Sequence, residues 1–409
     1  MKILYFHEYF ATRDSAVATR SYEIAHRLVQ RGHSVTVVSR ETRAGRPAEG
    51  GRRRLVSRET VDGIDVVSIS VPYSQSFSTA LRIASFLTFM VAACLVGLGL
   101  PRPDVVFASS TPLTIGVPGV LVSRTKRVPF VFEIRDLWPA APVALGMLRQ
   151  PQLIAAAEAL EALLYRAAER VVVLSEASRD ALLARGVPAA KLVFAPNAAD
   201  LDLFRPDNLD AGFRPAHGLE GHFVALYAGA MGRLNGLDQL LDAAALLHES
   251  SYRNVIFVVV GDGSERPRLM RRKLGDGLHN VLFLDPMPKT QLAGVVGAVD
   301  VTLTLFAPHP VLETNCPNKL FDSLAAGKPV VENLDGWLRR SVEGGGAGVY
   351  VRAGDGAELA ATLAALAVEP ELVAAMGRRA RRLAECDFAR DLMACRVVDA
   401  LEQAAGWAA

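Results

Sequence analysis

The chain has 409 residues, 51% of them hydrophobic and 22% charged, with 45 Lys and Arg against 43 Asp and Glu for a net charge of +2. That length implies two or three domains at roughly 100–200 residues each. The composition excludes a disordered chain, and the near-neutral balance excludes the broad basic field of a nucleic-acid binder.

The chain opens directly on a strand pattern, Lys2–Phe6, rather than on a secretory leader. A helical pattern follows in "SYEIAHRLVQRGH", where Tyr22, Ile24, Ala25, Leu28 and Val29 fall on one stripe and Gly32 supplies the stop. Further strands are expected at Ser34–Ser39, Asp65–Ser70, Asp104–Ala108, Pro129–Glu133 and Arg170–Leu174. Strands alternating with helices argue a doubly wound parallel sheet. "GRRRLVSR", with Arg43 and Arg46 upstream, reads either as a solvated loop or as a basic contact surface.

The stretch "IASFLTFMVAACLVGLGL", Ile83–Leu100, carries no charge. Three readings stand for residues 78–100: a crossover helix on the sheet, a helix lying in a membrane surface with Phe86 and Phe89 inward, or a bilayer span. The span would break the strand–helix–strand connection.

The second half repeats the rhythm, with strands expected at His222–Ala228, Val255–Val260, Val281–Leu284, Asp300–Leu305, Pro329–Glu332 and Ala347–Val351. "LDLFRPDNLDAGFRPAHGLEG" has a linker composition, which places a boundary near 205–221. The expected domains are 1–204, the 205–221 linker, 222–385, and a C-terminal helix in 386–409 that packs back toward the N-terminal domain. Two Rossmann-like domains facing across a cleft follow, with ligands at the carboxyl ends of the strands.

Three strand–Gly–helix junctions carry the chemistry. In "CPNKLFDSLAAGKPVV", Pro317 near a helix start leaves the N–H groups of Asn318, Lys319 and Leu320 without helical partners, and Lys319 adds a charge, which makes an anion site. Asp322, one turn deeper, can accept from hydroxyls, so a nucleoside diphosphate fits, with phosphate first and ribose next. An ordinary amphipathic helix with one surface ion pair fits the same residues. "YAGAMGRLNGLDQLL" brings Gly229, Gly232 and Gly236, where backbone can approach a ligand, and Arg233, which can contact a diphosphate. "VVVGDGSERPRL" repeats the junction at Gly261–Gly263.

Together with "EYFATRDSAVATRSYEIAHRLVQRGHSVTVV", "ASSTPLTIGVPG", "FEIRDLWPAAPVALGML" and "APNAADLDLF", these segments make a chain that resembles the retaining glycosyltransferases of family 4, with the GT-B fold. Within them it looks most like the bacterial branch of N-acetyl-L-fucosamine transferases of surface-polysaccharide assembly. The resemblance implies a C-terminal domain that binds a UDP-sugar and an N-terminal domain that takes a carbohydrate or polyprenyl-diphosphate-linked acceptor, with no cofactor, no metal and no nucleic acid. It places Asp322 on the second carboxylate of the Glu-x7-Glu motif, against the ribose. The first position falls on Thr314, with Glu313 beside it as the candidate catalytic carboxylate. Ala230 and Asn235 stand where many members carry Arg and Lys, so Arg233 and Lys319 take that charge. "DSAVATR" replaces the Gly-Gly loop after the first strand.

The same resemblance assigns Asp136, in "IRDLWP", to the acceptor side, with Trp138 beside it, and Asn197 and Asp200 to a motif at the domain junction. "DLD" at Asp200–Asp202 mimics a metal motif but belongs to that junction segment. His7 and Glu332, each at a strand end, are either ligand contacts or structural groups. The location implied is cytoplasmic, with peripheral contact at the inner face of the membrane. Two rival functions remain open: a nucleotide-sugar 2-epimerase of the same architecture, and a non-catalytic nucleotide-sugar binding subunit.

Overall fold

The computed structural model describes residues 1–12, 19–41, 55–73, 77–250 and 254–407. It contains two compact units, Met1–Pro196 with Met393–Ala409, and Asn197–Leu392. The linker expected at 205–221 therefore lies inside the second unit. Leu203 and Asp210 explain why: Asn208 Nδ2 donates to the Leu203 carbonyl, and the Asp210 N–H donates to the Gly294 carbonyl. The Gly, Pro, Asn and Asp of this stretch build tight turns rather than a spacer.

The first unit holds an eight-stranded sheet: β1 (Lys2–Phe6), β2 (Ser34–Arg40), β3 (Val56–Val61), β4 (Ile64–Ile69), β5 (Val105–Ser109), β6 (Phe130–Ile134), β7 (Arg170–Val173) and β8 (Leu192–Phe194). The spatial order is β3-β4-β2-β1-β5-β6-β7-β8, parallel except for β3 against β4. β5 and β6 are buried along their whole length, and β1 from Ile3 onward, as parallel strands covered on both faces are. The strands β3 and β8 were not legible. β3 is mostly exposed and polar, and the stretch read as a basic loop ends in it; Arg43, Arg46 and residues 51–54 lie outside the described residues, as do residues 14–18 of "DSAVATR". The helix Arg390–Ala404 contributes Val397, Val398 and Leu401 to the core formed with Ile3, Tyr5 and Leu28.

The apolar stretch forms the helix Thr79–Gly99, the crossover between β4 and β5. One face packs on the sheet through Phe89 and Ala93, and Gly97 lets it sit against Phe6 and Val122. Phe89 lies under the Arg40 guanidinium, 5.0 Å from ring centroid to Cζ, so the lipid-facing role considered for Phe89 is corrected: it is core. Leu81, Leu87, Val91, Leu95 and Leu98 stay exposed on the opposite face.

The second unit holds six parallel strands: β9 (Phe223–Ala228), β10 (Val255–Val260), β11 (Val281–Leu284), β12 (Val301–Thr304), β13 (Val330–Glu332) and β14 (Gly348–Tyr350), in the order β11-β10-β9-β12-β13-β14. The strand order reverses between β9 and β12. In the first unit it reverses between β1 and β5. Those reversal points are where an open parallel sheet leaves a crevice at its carboxyl edge.

Candidate functional site

In the second unit the reversal point gathers the end of β9, the end of β12 and the helix Asn318–Ala325. That helix is set by its sequence: Pro317 caps it with extended backbone, and Leu320, Phe321, Leu324 and Ala325 bury one stripe. The Leu320 N–H donates to the Pro317 carbonyl at 3.3 Å, which corrects its assignment as a free donor; the first turn tightens onto Pro317. No partner among the described residues takes the N–H groups of Asn318 and Lys319.

Lys319 leaves the helix toward β9. Its Nζ lies 3.7 Å from the centroid of the Tyr227 ring and 5.8 Å from that of Phe306. The Tyr227 hydroxyl donates to the Ala230 carbonyl at 2.7 Å, so one side chain both fixes the glycine loop and lines the amine. The Lys319 ammonium has no hydrogen-bond partner among the described residues and is buried. Burial pushes its pKa down to about 7. Lys319 and Asp322 do not pair with each other, so the surface ion pair that the spacing also allowed is not formed.

The glycines divide by role. Gly229 has φ +148°, and a Cβ there would meet Lys319 Nζ at 3.0 Å. Gly261, φ +140°, presses on the Gly229 carbonyl, which a Cβ would approach to 2.0 Å. Gly232 donates its N–H to Asn235 Oδ1 at 3.1 Å, shaping the turn that carries Arg233. Arg233 is 90% exposed and 3.6 Å from the Glu265 carboxylate. Of the two cations assigned to the diphosphate, Lys319 has a buried ammonium at this sheet edge and Arg233 is exposed.

Asp322 sits in a cluster that sequence spacing did not reveal. Its Oδ1 is 3.1 Å from Lys289 Nζ; Lys289 is 3.8 Å from Asp200, and Asp200 is 2.6 Å from Arg390. Burial raises the Asp322 carboxyl, against the pull of Lys289 and Arg390. "DLD" thus supplies an ion-pair partner through Asp200. Lys289 was missed, although a signal existed: it opens the helix Lys289–Gly297, where a cation opposes the helix dipole. Asn197 is buried, donating from Nδ2 to the Cys316 carbonyl and from its N–H to Cys316 Sγ at 3.3 Å. It therefore fixes the residue that precedes Pro317.

Glu313 is exposed in the turn Pro310–Thr314, and the Thr314 hydroxyl donates to the Val311 carbonyl at 2.7 Å. Glu332 is fully buried; its Oε2 accepts from the Leu334 N–H at 2.7 Å, and burial raises its pKa to about 8.

In the first unit the reversal point holds His7 and Ser109. His7 is buried, its Nδ1 3.3 Å from the Ser109 carbonyl, and burial, aided by the Arg135 charge, lowers its pKa to about 4. It is a neutral imidazole. Glu133 is also buried, accepting from Arg20 Nε at 2.9 Å and from the Ser109 hydroxyl; burial alone would raise its carboxyl, but Arg20, Arg135 and Ser109 hold it below the usual range. Arg20 also donates to the carbonyls of Ala195 and Pro196. Asp136 is exposed and accepts from the Thr111 hydroxyl at 3.0 Å, while Trp138 packs part-buried beside the core. Asp136 is thus accessible to a ligand, whereas Glu133 is held by Arg20 and Ser109, and His7 keeps a buried Nε2 with no partner among the described residues.

Comparison with known proteins agrees with this geometry. Residues 15–198 match the family described as Glycosyl transferase 4-like domain, and residues 222–368 match Glycosyl transferases group 1. The chain is 29% identical over 273 residues to a D-inositol 3-phosphate glycosyltransferase of Geodermatophilus obscurus, a match that spans 64% of this chain and 60% of that relative. It is 25% identical to a GDP-mannose-dependent alpha-mannosyltransferase of Mycobacterium tuberculosis, over 79% of this chain and 76% of the relative. Among solved structures, Anabaena Alr3699/HepE in complex with UDP-glucose superposes with a TM-score of 0.73 at 20% identity, covering 98% of this chain and 100% of that one. Sucrose-phosphate synthase from Thermosynechococcus elongatus gives 0.76 at 17%, covering 98% of each.

Proposed function

Because the chain belongs to the GT-B glycosyltransferases, with a glycosyl transferase 4-like domain followed by a group 1 domain, we propose that it transfers an N-acetylated hexosamine or deoxyaminosugar from a UDP-sugar. The acceptor is a carbohydrate or a polyprenyl-diphosphate-linked sugar of surface-polysaccharide synthesis, and the anomeric configuration is retained. In this reading the chain acts as an N-acetyl-L-fucosamine-type transferase.

The observation that carries the reading is the Lys319 ammonium, buried at the strand-order reversal with no hydrogen-bond partner or ion pair among the described residues. A buried cation without a partner is costly, and a diphosphate supplies the missing charge. The Asn318 and Lys319 N–H groups at the helix start add donors aimed at the same anion. As the glycosidic bond breaks, negative charge builds on the departing diphosphate, and these fixed groups stabilise it. Asp322 holds the ribose hydroxyls. Asp136, exposed on the first unit, receives the acceptor hydroxyl. Gly229 and Gly261 let backbone come close to the diphosphate.

A lipid-linked acceptor accounts for the uncovered face of Thr79–Gly99. Its exposed leucines end beside Arg102, which donates to the Arg127 carbonyl at 3.2 Å, and Arg124 and Arg127 are exposed nearby. Apolar surface rimmed by cations suits an anionic bilayer at the cytosolic face.

The test is a thermal-shift panel of UDP, GDP and their sugars on the full chain, followed by transfer assays. UDP should raise the melting temperature of the wild type and that of Lys319→Ala much less. No stabilisation by any nucleoside diphosphate overturns the reading. Conversion of UDP-GlcNAc to an isomer without acceptor would replace it with the epimerase, and binding without transfer to any acceptor with the binding subunit.

A further inference from the structure

We infer that Lys289 is a positioning residue of the donor site: it fixes the Asp322 carboxylate so that its far side meets the ribose. This deepens the donor reading and rests on it. Four charges meet in the second unit, two carboxylates and two cations. The short contacts divide them into two pairs, Arg390 with Asp200 at 2.6 Å and Lys289 with Asp322 at 3.1 Å, and the longer 3.8 Å approach of Lys289 to Asp200 joins the pairs. Both lysine and carboxylate are only 13% accessible, and Asp322 Oδ1 is itself buried, so what solvent or ligand can reach of Asp322 lies away from Lys289.

The placement is expensive in local terms. Lys289 is the first residue of Lys289–Gly297, where the helix dipole repels a cation, and the lowered pKa of Lys319 shows what burial costs an ammonium with no partner among the described residues. Two carboxylates, Asp322 at 3.1 Å and Asp200 at 3.8 Å, face Lys289 there, together with the Phe204 ring 5.2 Å away. Removing Lys289 leaves the Arg390–Asp200 pair intact and takes from Asp322 its contacting cation, with only the longer-range pull of Arg390 left. A buried carboxyl so deprived takes up a proton or turns, and either change removes an oriented acceptor for two hydroxyls. The effect therefore falls on the nucleoside rather than on the sugar being transferred.

The experiment compares wild type, Lys289→Met, Lys289→Arg, Asp322→Asn and the Lys289→Met/Asp322→Asn double variant by calorimetry, with UDP and 2′,3′-dideoxy-UDP as probes, after melting curves confirm folding. Lys289→Met should bind UDP about ten- to a hundredfold more weakly. It should bind the dideoxy probe as well as the wild type does, and the donor KM should rise with kcat little changed. Lys289→Arg should restore most of the UDP affinity. The double variant should be no weaker than Asp322→Asn alone, because the two residues act as one unit. If wild type binds UDP but Lys289→Met binds it equally well, or loses both probes alike, or adds its penalty to that of Asp322→Asn, Lys289 has no positioning role. If Lys289→Met does not fold, the dideoxy comparison on Lys289→Arg decides in the same way: a change in both probes alike refutes the role. Failure of the wild type to bind UDP at all instead removes the donor reading beneath it.

Discussion

Lys319 Nζ stands 3.7 Å from the centre of the Tyr227 ring, and the hydroxyl of that same tyrosine is tied to the Ala230 carbonyl in the glycine loop. An aromatic face gives a cation some of the charge it lacks, but far less than an anion would. The pair therefore holds the amine in place without satisfying it.

Replacing Lys319 by Met should separate binding from stability. Nucleoside diphosphate affinity should fall by about tenfold to a hundredfold or more, the value of a charge-assisted hydrogen bond. The melting temperature of the free protein should hold or rise, because a buried amine with no partner among the described residues is removed. Calorimetry and thermal melting measure the two; a Met variant that loses stability as well would mean that the amine has a structural partner.

The same amine sets a pH dependence. Its pKa is about 7 in the folded chain and its ordinary value is 10.5, so between those values the unfolded chain binds more protons. Stability of the free wild type relative to Lys319→Met should therefore rise with pH from about 7 to 10. Nucleotide binding prefers the charged form, so UDP affinity should weaken about tenfold per unit above pH 7, with proton uptake detectable by calorimetry in buffers of different ionisation heat.

Glu332 runs the other way. Its folded pKa of about 8 stands above the ordinary 4.5, so its contribution to stability falls as pH rises from 4.5 through 8. It is the register partner of Thr304 on β12, and Glu332 Oε1 and Thr304 Oγ1 are both buried without a partner among the described residues. Glu332→Gln should raise the melting temperature at pH 8.5 and do little at pH 5. Equal effects at both values would place the carboxyl in contact with a cation.

Two glycines should respond differently. Gly261→Ala drives a methyl into the Gly229 carbonyl and strains a positive φ, which costs about 1–3 kcal/mol of stability, more where backbone cannot yield. Gly229→Ala meets the flexible end of Lys319 instead, at 3.0 Å, so much of its cost should appear as lost nucleotide affinity. Denaturant melts and UDP titrations of the two variants give the comparison.

For the helix Thr79–Gly99, Leu87→Ser with Leu95→Ser should abolish flotation with vesicles containing anionic lipid and leave UDP binding intact. Binding to neutral vesicles as strong as to anionic ones would remove Arg102, Arg124 and Arg127 from the interface.

How much of this was legible is set by range. Strands such as β1, β9 and β10 declare themselves because burial on both faces demands unbroken apolar runs. The polar edge strand β3 and the three-residue β8 carry no such demand, and they were not seen. The Asn318–Ala325 helix, its proline cap and its buried stripe could be read from eight residues, because capping and periodicity are local. So could the candidacy of Lys319 as a phosphate ligand.

Which charges meet could not be read. Lys289 lies 33 positions before Asp322 and 89 after Asp200 in the chain, and only the order of parallel strands, with their crossover helices, folds the three onto one another. The chain by itself determined the elements and the chemistry available at their ends, since those depend on neighbours along the backbone. The tertiary structure decided that Lys319 would find no counter-ion among the described residues and that Asp322 would be given one, because the field at a buried side chain comes from groups distant in sequence and close in space.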